Sequence, residues 1–270
     1  MKKRTPLFLI ALLPLVSHAE IITRKIKYWD GKTELEGRIA YDNRYAIKKP
    51  GILVFHDWMG TSSFTQQKAE DLARLGYVGF EADLYGEDLR PENTKEAAAV
   101  AESFKNNRAL LRRRARLALE TLEHQTRVEK TQIGAIGFCF GGTAALELAR
   151  SGAPVEGVVS FHGGLSTPNP DDAKKILGKI LVLHGAEDPW VPPEEVAAFE
   201  REMTDAGVDW ELVKYSNAVH AFTNPAAGND NSKGAAYNRE AAERSWETMK
   251  DFFNKLFGKI DVPERSSLKR

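Results

Sequence analysis

The stretch TQIGAIGFCFGGTAALELARSG, residues 131–152, decides the fold. Its first part, 131–138, is an apolar run typical of a strand covered on both faces, and 141–152 has the composition of a helix. Cys139 stands between them with a glycine two positions before it and another two positions after it. Glycines at those positions relieve the crowding of a sharp bend. We therefore expect a strand, a tight turn and a helix, with Cys139 projecting from the turn.

Strands and helices alternate on both sides of this stretch. Two segments of alternating apolar and polar residues, 21–29 and 34–42, predict antiparallel strands joined by a turn. Further strands are predicted at 51–57, 131–138, 155–164, 179–188 and 210–216, and a strand with the loop that follows it at 77–86. Helices are predicted at 63–75, 92–125 (two helices broken near 106–107), 141–152, 193–206 and 235–257. The alternation predicts the α/β class, with a mostly parallel central sheet, helices on both faces and antiparallel N-terminal strands.

The N-terminus has the pattern of a secretory signal peptide. Three basic residues precede a mostly apolar run at 5–16, and Ser17-His18-Ala19 places small residues at the −3 and −1 positions of a cleavage site. The run is too short to span a bilayer core, which needs roughly 20 residues. We expect cleavage after Ala19 and a periplasmic or secreted protein without a membrane anchor. The predicted organisation is a signal peptide at 1–19, one domain at 20–258 and a charged tail at 259–270.

The charge and the cysteine content exclude some classes of function and structure. The formal net charge of the 270 residues is zero, and removal of 1–19, which holds three basic and no acidic residues, leaves a charge of 0 − 3 = −3. This balance gives no basic field for nucleic acid. Cys139 is the single cysteine and cannot form a disulfide within its own chain. The sequence shows no motif for a metal or an organic cofactor, so we expect neither.

Chemically competent residues follow the ends of the predicted strands. In parallel sheets the working groups gather at the carboxyl edge of the strands. The residues just beyond the strands of this chain are His56-Asp57-Trp58, Tyr85, Cys139, His162, His184 with Asp188, and His220. We therefore expect the functional site at this edge.

Cys139 has two interpretations. A lone cysteine is usually a small buried hydrophobic residue, but a cysteine in a strand-turn-helix bend is placed as a nucleophile. There the helix N-terminus favours the thiolate, and the N–H of Phe140 can stabilise an oxyanion. A nucleophile needs a base and an acid that orients the base. We expect His220 to be the base and Asp188 the acid, with Glu187 as the alternative acid. His162 and His184 are interpreted as packing or hydrogen-bonding groups.

Five segments together resemble the dienelactone hydrolase family of α/β-hydrolase enzymes, whose nucleophile is a cysteine. They are VFHDWMG, ADLYG, IGFCFGG, LHGAEDPWVP and AVHAFTNP, and the resemblance runs from about residue 21 to 256. It implies a triad of Cys139, His220 and Asp188, and an oxyanion hole formed by the N–H groups of Phe140 and Trp58. It also implies that the carboxylate of Asp57, usually a glutamate in the family, helps to deprotonate the thiol.

The chain departs from the family where the substrate would bind. The family places an arginine four residues after the catalytic histidine to bind the substrate carboxylate, and Asn224 stands there instead. Arg90 or Lys95 are candidate replacement cations. The proposed pocket residues are mostly large and apolar: Trp58, Tyr85, Phe140, Trp190 and Phe222. We therefore expect a substrate other than dienelactone itself.

The sequence thus predicts a hydrolase that cleaves small-molecule esters or lactones through a cysteine nucleophile and an acyl-enzyme. A broad-specificity carboxylesterase or thioesterase would use the same residues with a more open pocket, and a cysteine peptidase is a less favoured alternative. A different class of protein, an exported binding protein with a degenerate hydrolase fold, would retain the fold without catalysis. We expect a monomer or a weak homo-oligomer.

Overall fold

The computed structural model describes residues 20–261, and the predicted signal peptide lies outside this range, as do residues 262–270 of the predicted tail. Eight strands form one sheet: β1 (Ile21–Asp30), β2 (Thr33–Asp42), β3 (Lys49–Phe55), β4 (Val78–Ala82), β5 (Val128–Phe138), β6 (Gly157–Phe161), β7 (Lys179–Gly185) and β8 (Trp210–Tyr215). Their order is β1-β2-β4-β3-β5-β6-β7-β8. β1 pairs antiparallel with β2, and β2 with β4, whereas all other neighbours are parallel. The predicted mixed sheet is confirmed.

Helices cover both faces of the sheet. They are α1 (Ser63–Arg74), α2 (Thr94–Asn106), α3 (Arg108–Glu123), α4 (Phe140–Arg150), α5 (Pro193–Asp205) and α6 (Arg239–Phe257). One core cluster contains residues of α1 and α6, among them Leu72, Met249 and Phe253. The other contains residues of α2 to α5, among them Phe104, Leu119, Leu148 and Phe199. The two clusters lie on opposite faces, because residues that alternate along the strands belong to different clusters.

Most predicted helix boundaries are confirmed, and one is wrong. The break near 106–107 is present, since Asn107 separates α2 from α3 and its side chain accepts a hydrogen bond from the N–H of Leu110. The last helix begins at Arg239 instead of 235. Ala235 forms a β-bridge with His220, and Asn238 caps the helix by accepting from the N–H of Ala241. Residues 235–238 therefore hold the loop of His220.

Two of the predicted strands that lead to the site end three residues too late, whereas β5 ends at Phe138 as predicted. β6 ends at Phe161 instead of 164, since His162 has a φ of +42°, outside the strand region. β7 ends at Gly185 instead of 188, because the N–H of Asp188 turns back to the carbonyl of Gly185. The chemically competent residues thus stand in the turns beyond the strands.

No helix within residues 20–261 has the length and apolar character needed to cross a bilayer.

Candidate active site

Cys139 occupies a strained turn between β5 and α4. Its φ of 55° and ψ of −118° lie outside the common regions for a residue with a side chain. A Cβ on Gly137 would lie 1.9 Å from the carbonyl oxygen of Gly141, and a Cβ on Gly141 would lie 2.2 Å from the carbonyl oxygen of Phe55. Only glycine fits at either position. The expected strand-turn-helix bend is therefore present, and its glycines are required by close backbone approach.

A cavity of about 600 Å³ opens at the carboxyl edge of the sheet, and the half-buried free thiol of Cys139 lines it. Most of the wall is apolar or aromatic, with contributions from α2 and from the loops after β3, β7 and β8. Its residues include Trp58, Met59, Phe64, Ala98, Ala101, Phe138, Phe140, Trp190, Val191 and Ala226. The size suits a small organic molecule.

His220 lines the same cavity and is held by Asp188. Nδ1 of His220 lies 2.8 Å from Oδ2 of Asp188, and both side chains are buried. The other carboxylate oxygen of Asp188 accepts from the N–H of Trp190 at 2.9 Å. Nε2 of His220 is buried and has no hydrogen-bond partner among the described residues. Glu187, the alternative acid, is exposed and accepts from the N–H of Asn217. The imidazole thus has one nitrogen anchored and the other available.

The surroundings of His220 favour its protonated form. Burial lowers the pKa of His220, but the electrostatic effect of the Cys139 side chain and the hydrogen bond to Asp188 outweigh burial and raise the pKa to about 10. An imidazolium next to a thiolate can act as a proton donor, and loss of the thiolate charge removes part of what holds that proton.

Two backbone amides at the cavity are available to bind an oxyanion. Phe140 is the first residue of α4, so its N–H has no partner within the helix. The N–H of Trp58, in the loop after β3, likewise donates to no acceptor among the described residues. Both residues line the cavity with Cys139. Free donors beside a nucleophile can stabilise negative charge on a carbonyl oxygen.

Asp57 lines the cavity next to Trp58, and its side chain is hydrogen-bonded to the backbone of its own loop. Oδ1 accepts from the N–H of Met59 at 2.8 Å. Burial raises the pKa of Asp57, while the hydrogen bond from the N–H of Met59 acts in the opposite direction. The carboxylate is therefore a stronger base than an exposed aspartate.

The predicted pocket residues fall into two groups. Trp190 and Asn224 line the cavity, and the indole of Trp190 packs on His220 with ring centroids 4.7 Å apart. Tyr85 and Phe222 do not line it. Tyr85 is buried and its hydroxyl donates to the carbonyl of Trp58, and Phe222 is buried behind the loop of His220. The predicted place of these two residues in the cavity wall is wrong, because each ring is buried in the core, Tyr85 in one cluster and Phe222 in the other.

The two candidate cations, Arg90 and Lys95, do not line the cavity. Both are exposed. The side-chain oxygen of Asn224 accepts from the N–H of Ala226. Apart from Asp57 and His220, the charged residues of the wall are Glu102 and Lys105, both exposed on α2. Within the described residues, no cluster of three or more histidine, cysteine or acidic side chains is placed to hold a metal ion.

Two buried histidines support the turns of the site. His162 accepts from the N–H of Cys139 at Nδ1, 3.2 Å away, and its Nε2 lies 2.8 Å from the hydroxyl of Thr223. Burial, followed by the charge of His220, holds the pKa of His162 well below its usual range. His162 thus hydrogen-bonds as expected. The second is His56, whose structural role was not predicted. Its sequence signal is its place directly after β3.

The sheet order, the bend at Cys139 and the cavity define an α/β hydrolase. The model of the dienelactone hydrolase family matches residues 35–257. The chain is 39% identical to a solved dienelactone hydrolase-like promiscuous phosphotriesterase from metagenomic libraries, with a TM-score of 0.85, covering 88% of this chain and 99% of that one.

Two curated relatives extend the comparison. A probable 2-oxo-3-(5-oxofuran-2-ylidene)propanoate lactonase of Bradyrhizobium sp is 29% identical over 70% of this chain and 81% of its own length. A putative carboxymethylenebutenolidase of Synechocystis sp. is 26% identical over 76% and 85%. The chain belongs to the dienelactone hydrolase family and is a carboxylic ester hydrolase.

Proposed function

We propose that the protein hydrolyses neutral esters or lactones through a Cys139 nucleophile, with His220 as acid and base and Asp188 as the group that orients it. The observation that carries the proposal is the hydrogen bond of 2.8 Å from His220 to Asp188, with Nε2 left unpartnered in a cavity that the thiol also lines. An anchored imidazole with one free nitrogen is the arrangement that such catalysis requires.

Acylation consumes the charge of the sulfur. The Cys139 thiolate attacks the ester carbonyl carbon, and the π electrons move to the carbonyl oxygen, which accepts from the N–H groups of Phe140 and Trp58. The intermediate then collapses and expels the alkoxide, which takes the proton from Nε2 of His220. The products of this step are an alcohol and a neutral thioester.

Deacylation restores the starting state. Because the thioester carries no charge, the pKa of His220 falls and the neutral imidazole can remove a proton from water. The resulting hydroxide attacks the thioester, and collapse expels the Cys139 thiolate and releases the carboxylic acid. His220 ends protonated, as it began, so atoms and charge balance over the cycle.

Asp57 is proposed to activate the thiol when the resting enzyme holds it protonated. A carboxylate whose pKa is raised by burial is a competent acceptor for the thiol proton. The aspartate has one methylene less than the family glutamate, so the loop must shift for Oδ1 or Oδ2 to reach the sulfur. Asp57→Asn should slow the alkylation of Cys139 by iodoacetamide, and an unchanged alkylation rate would remove this role.

The substrate class follows from the charge of the wall. Lys105 is exposed, and the acidic Glu102 lies near it on the same helix. Lys105 is therefore not a buried, unopposed cation that could bind a substrate carboxylate. Recognition of a carboxylate is strongest with a bidentate arginine. We therefore propose acyl groups that are uncharged, bound against the apolar walls.

Phosphotriesters are a second candidate substrate class. The chain is 39% identical over 88% of its length to a protein described as a promiscuous phosphotriesterase. A phosphotriester is also uncharged and would place its phosphoryl oxygen against the same two amides. Comparing hydrolysis of paraoxon with that of p-nitrophenyl butyrate would test this activity.

The proposed location is the periplasm or the cell exterior, from the signal-like pattern of residues 1–19. N-terminal sequencing of the exported protein should give Glu20 as the first residue, and retention of residues 1–19 in the cytoplasm would contradict it.

The direct test of function is a panel of p-nitrophenyl esters and lactones with wild type and Cys139→Ala. We expect hydrolysis by wild type and loss of it in the variant. Within the panel, p-nitrophenyl pentanoate and the p-nitrophenyl monoester of glutaric acid have acyl chains of equal length and differ in charge. Faster hydrolysis of the pentanoate supports the proposed substrate class, and preference for the charged ester contradicts it.

A further inference from the structure

His56 is a fully buried histidine that makes two short contacts to backbone groups of the site. It follows the last residue of β3, and its side chain has no solvent exposure. Nδ1 lies 2.6 Å from the carbonyl oxygen of Asp57, and Nε2 accepts from the N–H of Leu84 at 3.1 Å. The ring packs against Tyr85 and Phe140, with centroids 4.6 Å and 6.1 Å away. Neither triad nor substrate contact accounts for these interactions.

The two contacts fix the tautomer of His56. Nε2 accepts a hydrogen bond from an amide, so it carries no proton. Nδ1 faces a carbonyl oxygen, which can only accept, so Nδ1 carries the proton and donates it. The imidazole is therefore a neutral group with one defined donor, and that donor is directed at the carbonyl of Asp57.

The carbonyl of Asp57 belongs to the same peptide unit as the N–H of Trp58. In a planar trans peptide the C=O and N–H bonds point in opposite directions. A donor that holds the C=O of Asp57 toward the buried ring of His56 therefore directs the N–H of Trp58 away from that ring. A hydrogen bond to the C=O also polarises the peptide and strengthens its N–H as a donor.

The next peptide of this loop is held as well. The hydroxyl of Tyr85 donates to the carbonyl of Trp58 at 3.0 Å, and Tyr85 is itself in edge contact with His56. Consecutive carbonyls, those of Asp57 and Trp58, are thus anchored by two adjacent buried side chains. The free N–H of Trp58 lies between these two anchored carbonyls.

We infer that His56 is a positioning residue that orients the Asp57–Trp58 peptide so that the N–H of Trp58 serves the oxyanion. The inference rests on the proposed function, which uses that N–H. The inference goes beyond the proposed function, because it explains how one oxyanion donor is oriented by a side chain that contacts neither the substrate nor the sulfur.

The test uses two variants that each keep one half of the imidazole. In His56→Asn the side-chain amide can occupy the place of Nδ1 and donate to the carbonyl of Asp57. In His56→Gln the amide oxygen can occupy the place of Nε2 and accept from Leu84, leaving the carbonyl of Asp57 without its donor. Two reactions of Cys139 are measured in each variant: acylation by p-nitrophenyl acetate, which develops an oxyanion, and alkylation by iodoacetamide, which does not.

Removal of an oxyanion donor costs about 100- to 1,000-fold in rate, so misorientation of one should cost about 10- to 100-fold. We expect His56→Gln to lose acylation by that factor while alkylation changes less than about threefold, and His56→Asn to retain most of its acylation. Equal losses of acylation in the two variants, or a loss of alkylation that matches the loss of acylation, would overturn the inference.

A matched control and a check on the proposed function complete the design. Tyr45→Phe removes a side-chain hydrogen bond to the carbonyl of Asp261, which lies outside the cavity wall, and should leave both reactions unchanged. Thermal melting of every variant reports on folding. If Cys139→Ala still reacts with p-nitrophenyl acetate at the wild-type rate, the proposed function fails, whereas a His56 result alone leaves the triad intact.

Discussion

Replacing Gly137 by alanine tests how strictly the turn at Cys139 is determined. The added Cβ would lie 1.9 Å from the carbonyl oxygen of Gly141 and 2.7 Å from the amide nitrogen of Gly142. All of these atoms belong to the backbone of the first turn of α4, so no side chain can rotate away to make room. The strand and the helix must therefore separate.

The size of the effect follows from these distances. Cβ atoms keep at least 3.0 Å from such neighbours, so the turn must open by about 1 Å. A displacement of about 1 Å in a catalytic group costs roughly 100-fold in rate, and overpacking of this kind costs about 1 to 3 kcal/mol of folding free energy. We expect kcat/KM of Gly137→Ala for p-nitrophenyl butyrate to fall about 100-fold.

Gly31→Ala is the matched control for this experiment. Gly31 has a φ of +62° and open space around its Cβ position, so alanine there should cost about 1 to 2 kcal/mol of backbone strain. Urea unfolding would report stability losses of similar size in the two variants, with activity lost only in Gly137→Ala. Activity of Gly137→Ala within about threefold of wild type would refute the account of the turn.

Three further substitutions each remove a charged or ionisable side chain from the site or the core. Cys139→Ser removes the sulfur that the proposed mechanism uses as a thiolate. The pKa of His220, raised to about 10 in the native site, should therefore fall by about 1 to 3 pH units in an NMR titration. Asp188→Asn should lower kcat/KM by about 100- to 10,000-fold, since the imidazole loses its orientation and its stabilising charge. Arg150→Ala leaves Glu202, which Arg150 binds at 2.8 Å and 2.7 Å in the core, as an unpaired buried charge. It should cost about 3 to 5 kcal/mol in urea unfolding.

A different result would contradict each of these three predictions. An unchanged pKa of His220 in Cys139→Ser would mean that the sulfur carries no charge near the imidazole. Full activity of Asp188→Asn would assign the orienting role to another acid. Loss of less than about 1 kcal/mol in Arg150→Ala would indicate that water relieves the charge of Glu202.

The sequence predicts the sheet, its helices and the meeting of Cys139, Asp188 and His220 at one edge. These features depend on local apolar patterning and on the rule that parallel strands present their carboxyl ends together. The glycine at 137 also carries a local signal, because its Cβ would meet the backbone of Gly141 and Gly142, whereas the requirement for glycine at 141 comes from the distant backbone of Phe55 and His56. The family resemblance adds the order of the motifs.

Other features depend on distant contacts that a pattern does not contain. Tyr85 and Phe222 follow strands as pocket residues do, yet both turn into the core, Tyr85 to bind the carbonyl of Trp58 and Phe222 to pack against His162 and Tyr215. The start of α6 depends on the pairing of Ala235 with His220. Side-chain direction at a strand exit is set by these contacts and not by residue type.

The most direct measurement is mass spectrometry of the protein after rapid mixing with p-nitrophenyl acetate and acid quench. We predict a gain of one acetyl group, located by peptide mapping to Cys139 and missing from Cys139→Ala. Steady hydrolysis by wild type with the acetyl group on another residue, or unimpaired hydrolysis by the alanine variant, would contradict a thiol nucleophile.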